Sequence, residues 1–505
     1  VNTGGWSVLG VIACCALPLL LCAAAAERAE AAEILIGAAT ANITPERPVA
    51  LAGQHHTRIG RKADNPLTAT ALALEARDGG KAVDQAVLVA CDLVAIREGV
   101  QERFRERMKD RLPGFDLRKV FLAATHTHTA PEMLEGRYVV PEGGGLMGPA
   151  EYVEFLCDRL AECVVRAWEG RKPGGVSWAL GHAVVGHNRR PVYENGAARM
   201  YGKTDAPDFV CLEGYEDHGV EVLLFWGAEK ELTAVFINLA CTAQEVENLS
   251  TINADFWHDV REQLRAEHGR ELHVLGLPSA AGDQSPHLIY RKAAEERMRA
   301  LRGLTRTQEI ARRIVRAVDD VLDPARRDIR TDLPFAHTVQ DVMLPVRKVT
   351  EGELARYKAQ YEQLAGKPER TSAEHVHMLR AKAVMDRFER QEAQPDYRME
   401  LHAIRLGDAA IATNPFELFL DYGIRIKGRS RAVQTFIIQL ACNSGGYLPT
   451  EKAVRGGGYG AEVVSNRVGP EGGKVLVDRT VEAINALWER PAAAQAGHRQ
   501  AMPRR

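Results

Sequence analysis

The sequence has no surplus of one charge: Lys and Arg number 65, Asp and Glu 67, and the net charge is −2. Such a balance gives no general electrostatic pull toward nucleic acid or an anionic membrane surface, so neither is expected as a partner. Cysteine is sparse, with nine in 505 residues and none in C-x-x-C spacing. Cys14, Cys15 and Cys22 lie in an N-terminal apolar run, and Cys91, Cys157, Cys163, Cys211, Cys241 and Cys442 are scattered. That pattern excludes a disulfide scaffold and leaves most of them as small core residues. The chain also lacks internal repeats and low-complexity linkers. Outside the N-terminus it has no long apolar insertion that would read as a membrane-docking surface.

The one long apolar run spans Trp6 to Ala26, with Leu17-Pro18-Leu19-Leu20-Leu21 at its centre. Ala29-Glu30-Ala31 follows in the A-x-A form that signal peptidase accepts. No Lys or Arg precedes the run, and its length would also suit a spanning anchor. The many alanines favour a cleaved signal over residues 1–31. Leu20-Leu21-Cys22 is a poor match to a lipoprotein site. The expectation is therefore export to the periplasm or the medium, with no stable membrane span in the mature chain. Hydrophobic residues at 46% and charged residues at 26% mark the remainder as globular. Residues 32–490 read as one large catalytic unit and 491–505 as a disordered tail.

Within that unit, Ala86–Cys91 and Val120–Ala124 are buried-strand runs separated by helical spacing over Val100 to Leu112. This order predicts a mixed α/β fold with functional motifs just beyond strand ends. Val220–Trp226 and Ala234–Leu239 read as a hairpin, and Leu272–Leu277 as a further strand. Residues 292–322 and 351–394 are charged and helical, the latter broken near Gly366-Lys367-Pro368, which makes a helical insertion over central sheets flanked by helices. Strand pattern returns at 399–412 and 433–441.

Five segments carry chemistry. Thr125-His126-Thr127-His128 follows a strand, and residues i and i+2 on extended chain point to one side. Two imidazoles there can share a metal, or one can bind while the other acts as base; polar loop residues are the alternative. Gly282-Asp283-Gln284-Ser285-Pro286-His287 follows another strand, and its small residues allow a sharp turn that presents Ser285 as a nucleophile. A serine capping a following helix fits equally. Glu417, at the end of the strand 409–413, is either a hard metal ligand or a helix-start glutamate. Tyr447 and Tyr459 sit in glycine-dense loops that permit close backbone approach to a ligand.

Together, and in this order, the segments resemble the neutral ceramidase family over residues 34–487. Thr-His-Thr-His with Thr129-Ala130-Pro131 is similar to that family's zinc loop. Gly282-Asp283-Gln284-Ser285-Pro286 is similar to its nucleophile segment, with His287 where asparagine is usual. The resemblance implies a zinc ion held by His126, Glu417 and Tyr447, with Ser285 attacking an amide carbonyl. It further implies that His128, Arg189 and Tyr459 stabilise or protonate the tetrahedral species. Asn188, Asp283 and His287 are the expected substrate-binding residues, and the substrate is a lipid or other small molecule. His55-His56 and Asp64-Asn65 fall in a loop that the family places near the site.

Two departures stand out. Thr242, in Ala240-Cys241-Thr242-Ala243, occupies the place of the family's second zinc histidine. Cys241, Glu245 and His218 are the substitutes the sequence offers. An immunoglobulin-like domain usually follows the catalytic one in that family; the 505 residues hold no stretch for it, so interfacial lipid handling is expected to differ. Three functions remain open: an amide hydrolase of ceramide type, a hydrolase of a glycoside or ester on a hydroxyl-rich substrate, and a degenerate binding protein. Asn188, Arg189, Arg190, Gln244 and Glu245 suit the hydroxyl-rich alternative.

Overall fold

A computed structural model describes residues 32–489 apart from residue 142; the expected signal at 1–31 and the tail at 491–505 lie outside the described residues. The α/β expectation holds, with helices and strands in alternation along the chain.

Three larger sheets carry the fold, and each is built by the same device. In the first, Ala32–Asn42, Thr68–Asp78 and Lys81–Cys91 run antiparallel, and Val120–Ala124 then joins Lys81–Cys91 in parallel. A hairpin cannot reach a parallel neighbour, so the chain crosses over through the helix Val100–Arg107. That helix is shorter than its spacing predicts, because the chain turns after Met108 and Asp110 takes a left-handed φ of 62°.

The second sheet sets Gly175–His182, Gly219–Trp226 and Leu232–Leu239 antiparallel, the last two as the expected hairpin. His273–Pro278 then runs parallel to Leu232–Leu239 after the helix Phe256–His268. In the third, Phe335–Pro345, Asp396–Leu406 and Ala409–Thr413 are antiparallel. Gln434–Ile438 joins Ala409–Thr413 in parallel after the helix Leu420–Arg429.

One face of all three sheets packs into a common interior. Phe121 and Leu88 from the first sheet, Phe236 and Leu275 from the second, and Ile411 and Phe436 from the third belong to one buried cluster. Each side chain so buried contributes about 1.5–3 kcal/mol. The outer faces are covered by Pro149–Glu169 on the first sheet, Phe256–His268 and Arg306–Arg326 on the second, and Pro470–Ala486 on the third.

The helical insertion is a hairpin of Glu351–Ala365 and Ser372–Arg390, each helix opened by a capping box at Thr350 and Thr371. Thr57 N donates to Ser372 Oγ at 2.7 Å, and His375 Nε2 lies 3.0 Å from Gly136 O, which seats the hairpin over the loop 53–58. Among the described residues no helix is long and apolar enough to cross a membrane, and the six cysteines there are free, Cys211 alone being exposed.

The first two sheets are tied at their strand ends by a buried ion pair. Asp92, just past Lys81–Cys91, accepts from Arg261 at 2.7 and 2.8 Å, and Arg261 lies on the crossover helix of the second sheet. Arg261→Met would strand the carboxylate without its cation. The variant should lose about 3–5 kcal/mol of unfolding free energy, read as a lower urea midpoint at unchanged slope.

Candidate active site

Thr125-His126-Thr127-His128 leaves the C-terminal end of Val120–Ala124. The segment is not extended as its spacing predicts. His126 N donates to Leu93 O at 2.9 Å, and this residue turns at φ 70°. The turn still brings the rings together edge to face, with centroids 4.7 Å and Nε2 atoms 3.2 Å apart. His126 Nδ1 lies 2.6 Å from Val94 O, so it carries the proton and donates, leaving Nε2 bare. Glu247 Oε2 lies 3.0 Å from His128 Nδ1, poorly aimed for a linear hydrogen bond but close enough to place the proton there. Burial pulls the His128 pKa down to about 4 against the opposing pull of Glu247. Gly53 passes under the His128 ring at φ 95°, where a Cβ would fall 2.4 Å from Cγ.

Glu417 and Tyr447 arrive from the third sheet. Beyond Ala409–Thr413 and Gln434–Ile438, the short strands Phe416–Leu418 and Gly446–Leu448 pair in parallel and set Glu417 opposite Tyr447. Glu417 is thus a strand residue, and the helix-start alternative falls away because the next helix begins at Leu420. Its Oε2 lies 3.5 Å from His126 Nε2. Burial works to raise the Glu417 pKa, but its neighbours His126 and Tyr447 and the charge of Arg189 hold it at about 2.

Ser285 arrives from the second sheet. It sits in a two-residue strand paired with His187–Asn188, and no helix follows for it to cap. Its fully buried Oγ accepts from Tyr201 OH at 3.1 Å and from His287 N at 3.2 Å. The turn before it needs Gly282, since a Cβ there would meet Glu417 O at 2.3 Å.

Arg189 links these parts. Wholly buried, it donates through Nη1 to Tyr201 OH at 2.7 Å and Gln244 Oε1 at 3.2 Å. Through Nη2 it donates to Gly282 O at 2.9 Å and Tyr447 OH at 3.3 Å. Gln244 Nε2 in turn lies 2.9 Å from His128 Nε2. The contacts close a polar ring that runs through Arg189, Gln244, His128, His126, Glu417 and Tyr447, with Ser285 attached through Tyr201.

The other expected residues take different places. Asn188 Nδ2 donates to Asp283 Oδ2 at 3.2 Å, and Asp283 Oδ1 accepts from Leu420 N at 2.8 Å, capping the helix Leu420–Arg429. Both are buried and brace the Ser285 turn. Burial pushes the Asp283 carboxyl up to about 6. Arg190 is buried against Glu213 at 2.7 Å. Tyr459 is 38% exposed at the mouth, its ring 5.5 Å from Tyr447 and its hydroxyl 3.4 Å from His55 Nε2. Tyr201 and Glu247 carry no sequence signal that singles them out, yet both touch the ring.

The donor set fits a divalent zinc-like cation. His126 Nε2 stands 3.5 Å from the ionised Glu417 carboxylate, across from Tyr447, and 3.2 Å from His128 Nε2. Ligand atoms about 2.0–2.1 Å from a tetrahedral zinc stand at about this spacing. Acceptors that face one another repel unless a proton or a cation lies between them. Of the suggested substitutes for the missing histidine, none points into the ring. Cys241 Sγ faces Val185 O, Glu245 pairs with Arg306, and His218 pairs with Glu216. Among the described residues Glu400, His402 and Cys442 form a separate group, but Arg105 already holds Glu400 at 2.6 and 2.9 Å.

No protein-family model matches the chain, and no curated protein does. Among solved structures, the neutral ceramidase from Pseudomonas aeruginosa superposes with a TM-score of 0.66 at 18% identity, covering 91% of this chain and 75% of that one. A ceramidase complexed with C2 gives 0.64 at 17% identity, covering 91% and 76%. At such identity the likeness is one of fold.

His287 adds a titratable link. Burial would lower its pKa, but Glu247 at 3.0 Å and the nearby Glu245 raise it above the ordinary 6.5. Its stabilisation is complete below pH 6.5 and is lost as pH rises through the raised value. His287→Asn should cost about 1.5–3 kcal/mol at acidic pH and progressively less under alkaline conditions, in melts taken across that range.

Proposed function

We propose that the chain is an exported hydrolase that cleaves the N-acyl amide bond of a ceramide-like substrate, with Ser285 as nucleophile and zinc as cofactor. One observation carries this reading: a serine hydroxyl hangs from the same polar ring that gathers a His–His–carboxylate set. The ceramidase-like fold supports it.

Ser285 Oγ attacks the amide carbonyl carbon, giving up its proton to a water as the C–O bond forms, and negative charge moves onto the carbonyl oxygen. The Tyr201 hydroxyl and the His287 N–H both donate to Oγ, which favours its alkoxide character and fixes the direction of its own proton. His126, Glu417 and Tyr447 would hold a zinc ion, which would supply Lewis acidity toward a carbonyl oxygen and lower the pKa of water. Arg189 spends its donors on Tyr201, Gln244, Gly282 and Tyr447, so its part is to hold the ring in register. The amine is a poor leaving group until protonated. His287, whose pKa Glu247 raises, is the group beside Ser285 that can give a proton. The C–N bond then breaks and water releases the acyl group from Ser285.

A second reading keeps the chemistry and changes the substrate. The mouth is polar, with His55 and His377 rings 5.2 Å apart and Arg380 over Tyr459 at 5.6 Å. Beside His287, a cleft of about 700 Å³ is lined by Glu245, Arg306 and Lys292 along with Leu288 and Ala293. Such walls suit a short, hydroxyl-rich acyl compound better than two long alkyl chains.

Ser285→Ala should lower turnover by about 10³-fold or more and leave bound zinc per chain unchanged. Long-chain ceramide and a short-chain analogue, assayed side by side, separate the two substrates. An active Ser285→Ala enzyme would exclude the serine, and a wild-type chain inert toward all acyl substrates would leave the binding protein.

A further inference from the structure

We propose that Glu216 is a positioning residue for Ser285. From the loop 213–218 it holds the strand His187–Asn188 in place beside Gln284–Ser285, and so fixes where the nucleophile stands. The inference rests on the reading of Ser285 above and adds to it a carboxylate from outside the polar ring.

Three observations carry it. The first is how little the nucleophile's strand has of its own. Gln284–Ser285 and His187–Asn188 form a sheet of two strands, two residues each. An isolated two-stranded ribbon is at best marginal in water, so this one must be held by what surrounds it.

The second is the course of the loop. Its ends are pinned on either side of the segment that carries His187 and Asn188. Ala183 N donates to His218 O at 2.9 Å, and Glu213 N donates to Arg190 O at 2.9 Å. Between these anchors the loop bonds to both strands. Glu216 Oε1 accepts from Asn188 N at 3.2 Å, and Tyr215 O accepts from Gln284 Nε2 at 3.0 Å. Gly214 passes close by, since a Cβ there would stand 3.0 Å from Asn188 Nδ2. The Tyr215 side chain is 72% exposed, so the loop grips through its polar groups.

The third is the state of the carboxylate. Burial works to raise the Glu216 pKa, but His187 and the Asn188 N–H hold it below the ordinary 4.5. Its Oε2 stands 3.5 Å from both His187 Nδ1 and His218 Nε2. His187 is the direct partner of Ser285 in the register, and among the described residues its buried Nε2 has no hydrogen-bond partner. Glu216 is thus the polar group that orients this ring. Losing it frees the strand against which Ser285 is registered, and a displacement of about 1 Å at a reacting group costs about 100-fold in rate.

The test uses the full chain carrying Glu216→Ala or Glu216→Gln, with acyl-amide kinetics beside amide hydrogen exchange. Glu216→Ala should lower kcat about 100-fold with KM unchanged. Exchange should quicken at 187–189 and 283–287, while segments far from the loop keep their wild-type rates. Glu216→Gln keeps an acceptor for Asn188 N and should recover most of kcat. Should the wild type turn over no acyl amide, the rate at which a fluorophosphonate labels Ser285 takes the place of kcat. Wild-type exchange in Glu216→Ala, a loss carried by KM, or Glu216→Gln no better than Glu216→Ala overturns the assignment and leaves the nucleophile reading standing. An active Ser285→Ala enzyme overturns the nucleophile reading and this one with it, even where exchange in Glu216→Ala is raised.

Discussion

The structure depends on three sheets sharing one apolar interior. Each sheet closes with a parallel pair, and a parallel pair puts two C-terminal ends side by side. Packing Phe121, Phe236 and Phe436 into the same cluster brings these ends to one place. The chain is stitched there by bonds between sheets: Ala243 N to Thr125 O at 3.3 Å, Gln439 N to Pro278 O at 3.3 Å, and Ala124 N to Leu440 O at 3.2 Å. Each strand end then contributes to the ring: His126 with Val94 behind it, Gln244, Glu417 and Tyr447, and Ser285 attached through Tyr201. Core packing and site geometry are one constraint, because a sheet that slipped would withdraw two of the ring's members together.

The ring's second requirement is a buried cation. Uncompensated, the guanidinium of Arg189 would cost several kcal/mol in such a place. Its partners at 2.7 to 3.3 Å satisfy the fork, and the charge helps keep Glu417 ionised. Lysine would offer a point charge where a planar fork spans Tyr201, Gln244, Gly282 and Tyr447. The arrangement explains why Asn188, next to it, is spent on Asp283. Holding Arg189 in place takes a braced strand, and Asn188 and Asp283 are the brace.

Much of this was legible in the sequence because it is local. Apolar runs ending in Thr125-His126-Thr127-His128, Gly282–Ser285 and Asn414–Glu417 mark the strand ends, and the capped charged helices of the insertion follow from composition and period. What was illegible is long-range. Tyr201 meets a hydroxyl 84 residues away, and Glu247 meets rings at 128 and 287. Neither sits in a patterned segment. The misread extended form of Thr125–His128 has the same origin: its turn is imposed by bonds from His126 to Leu93 and Val94, on a neighbouring strand end.

The last link is between strain and access. Non-glycine residues at positive φ are costly, at about 1–3 kcal/mol each, and persist only where their surroundings over-determine them. His126, Tyr201 and Asp255 are among the few in this chain, at φ 70°, 57° and 58°, and all three lie on segments that meet at the ring. Tyr201 is held by its N–H to Arg189 O at 2.7 Å and by its hydroxyl on Arg189 and Ser285. Ser285 has no exposure at all, while Tyr201, which touches it, is 40% exposed. The strained turn at Tyr201 is thus over-determined by the groups it covers, Arg189 and Ser285.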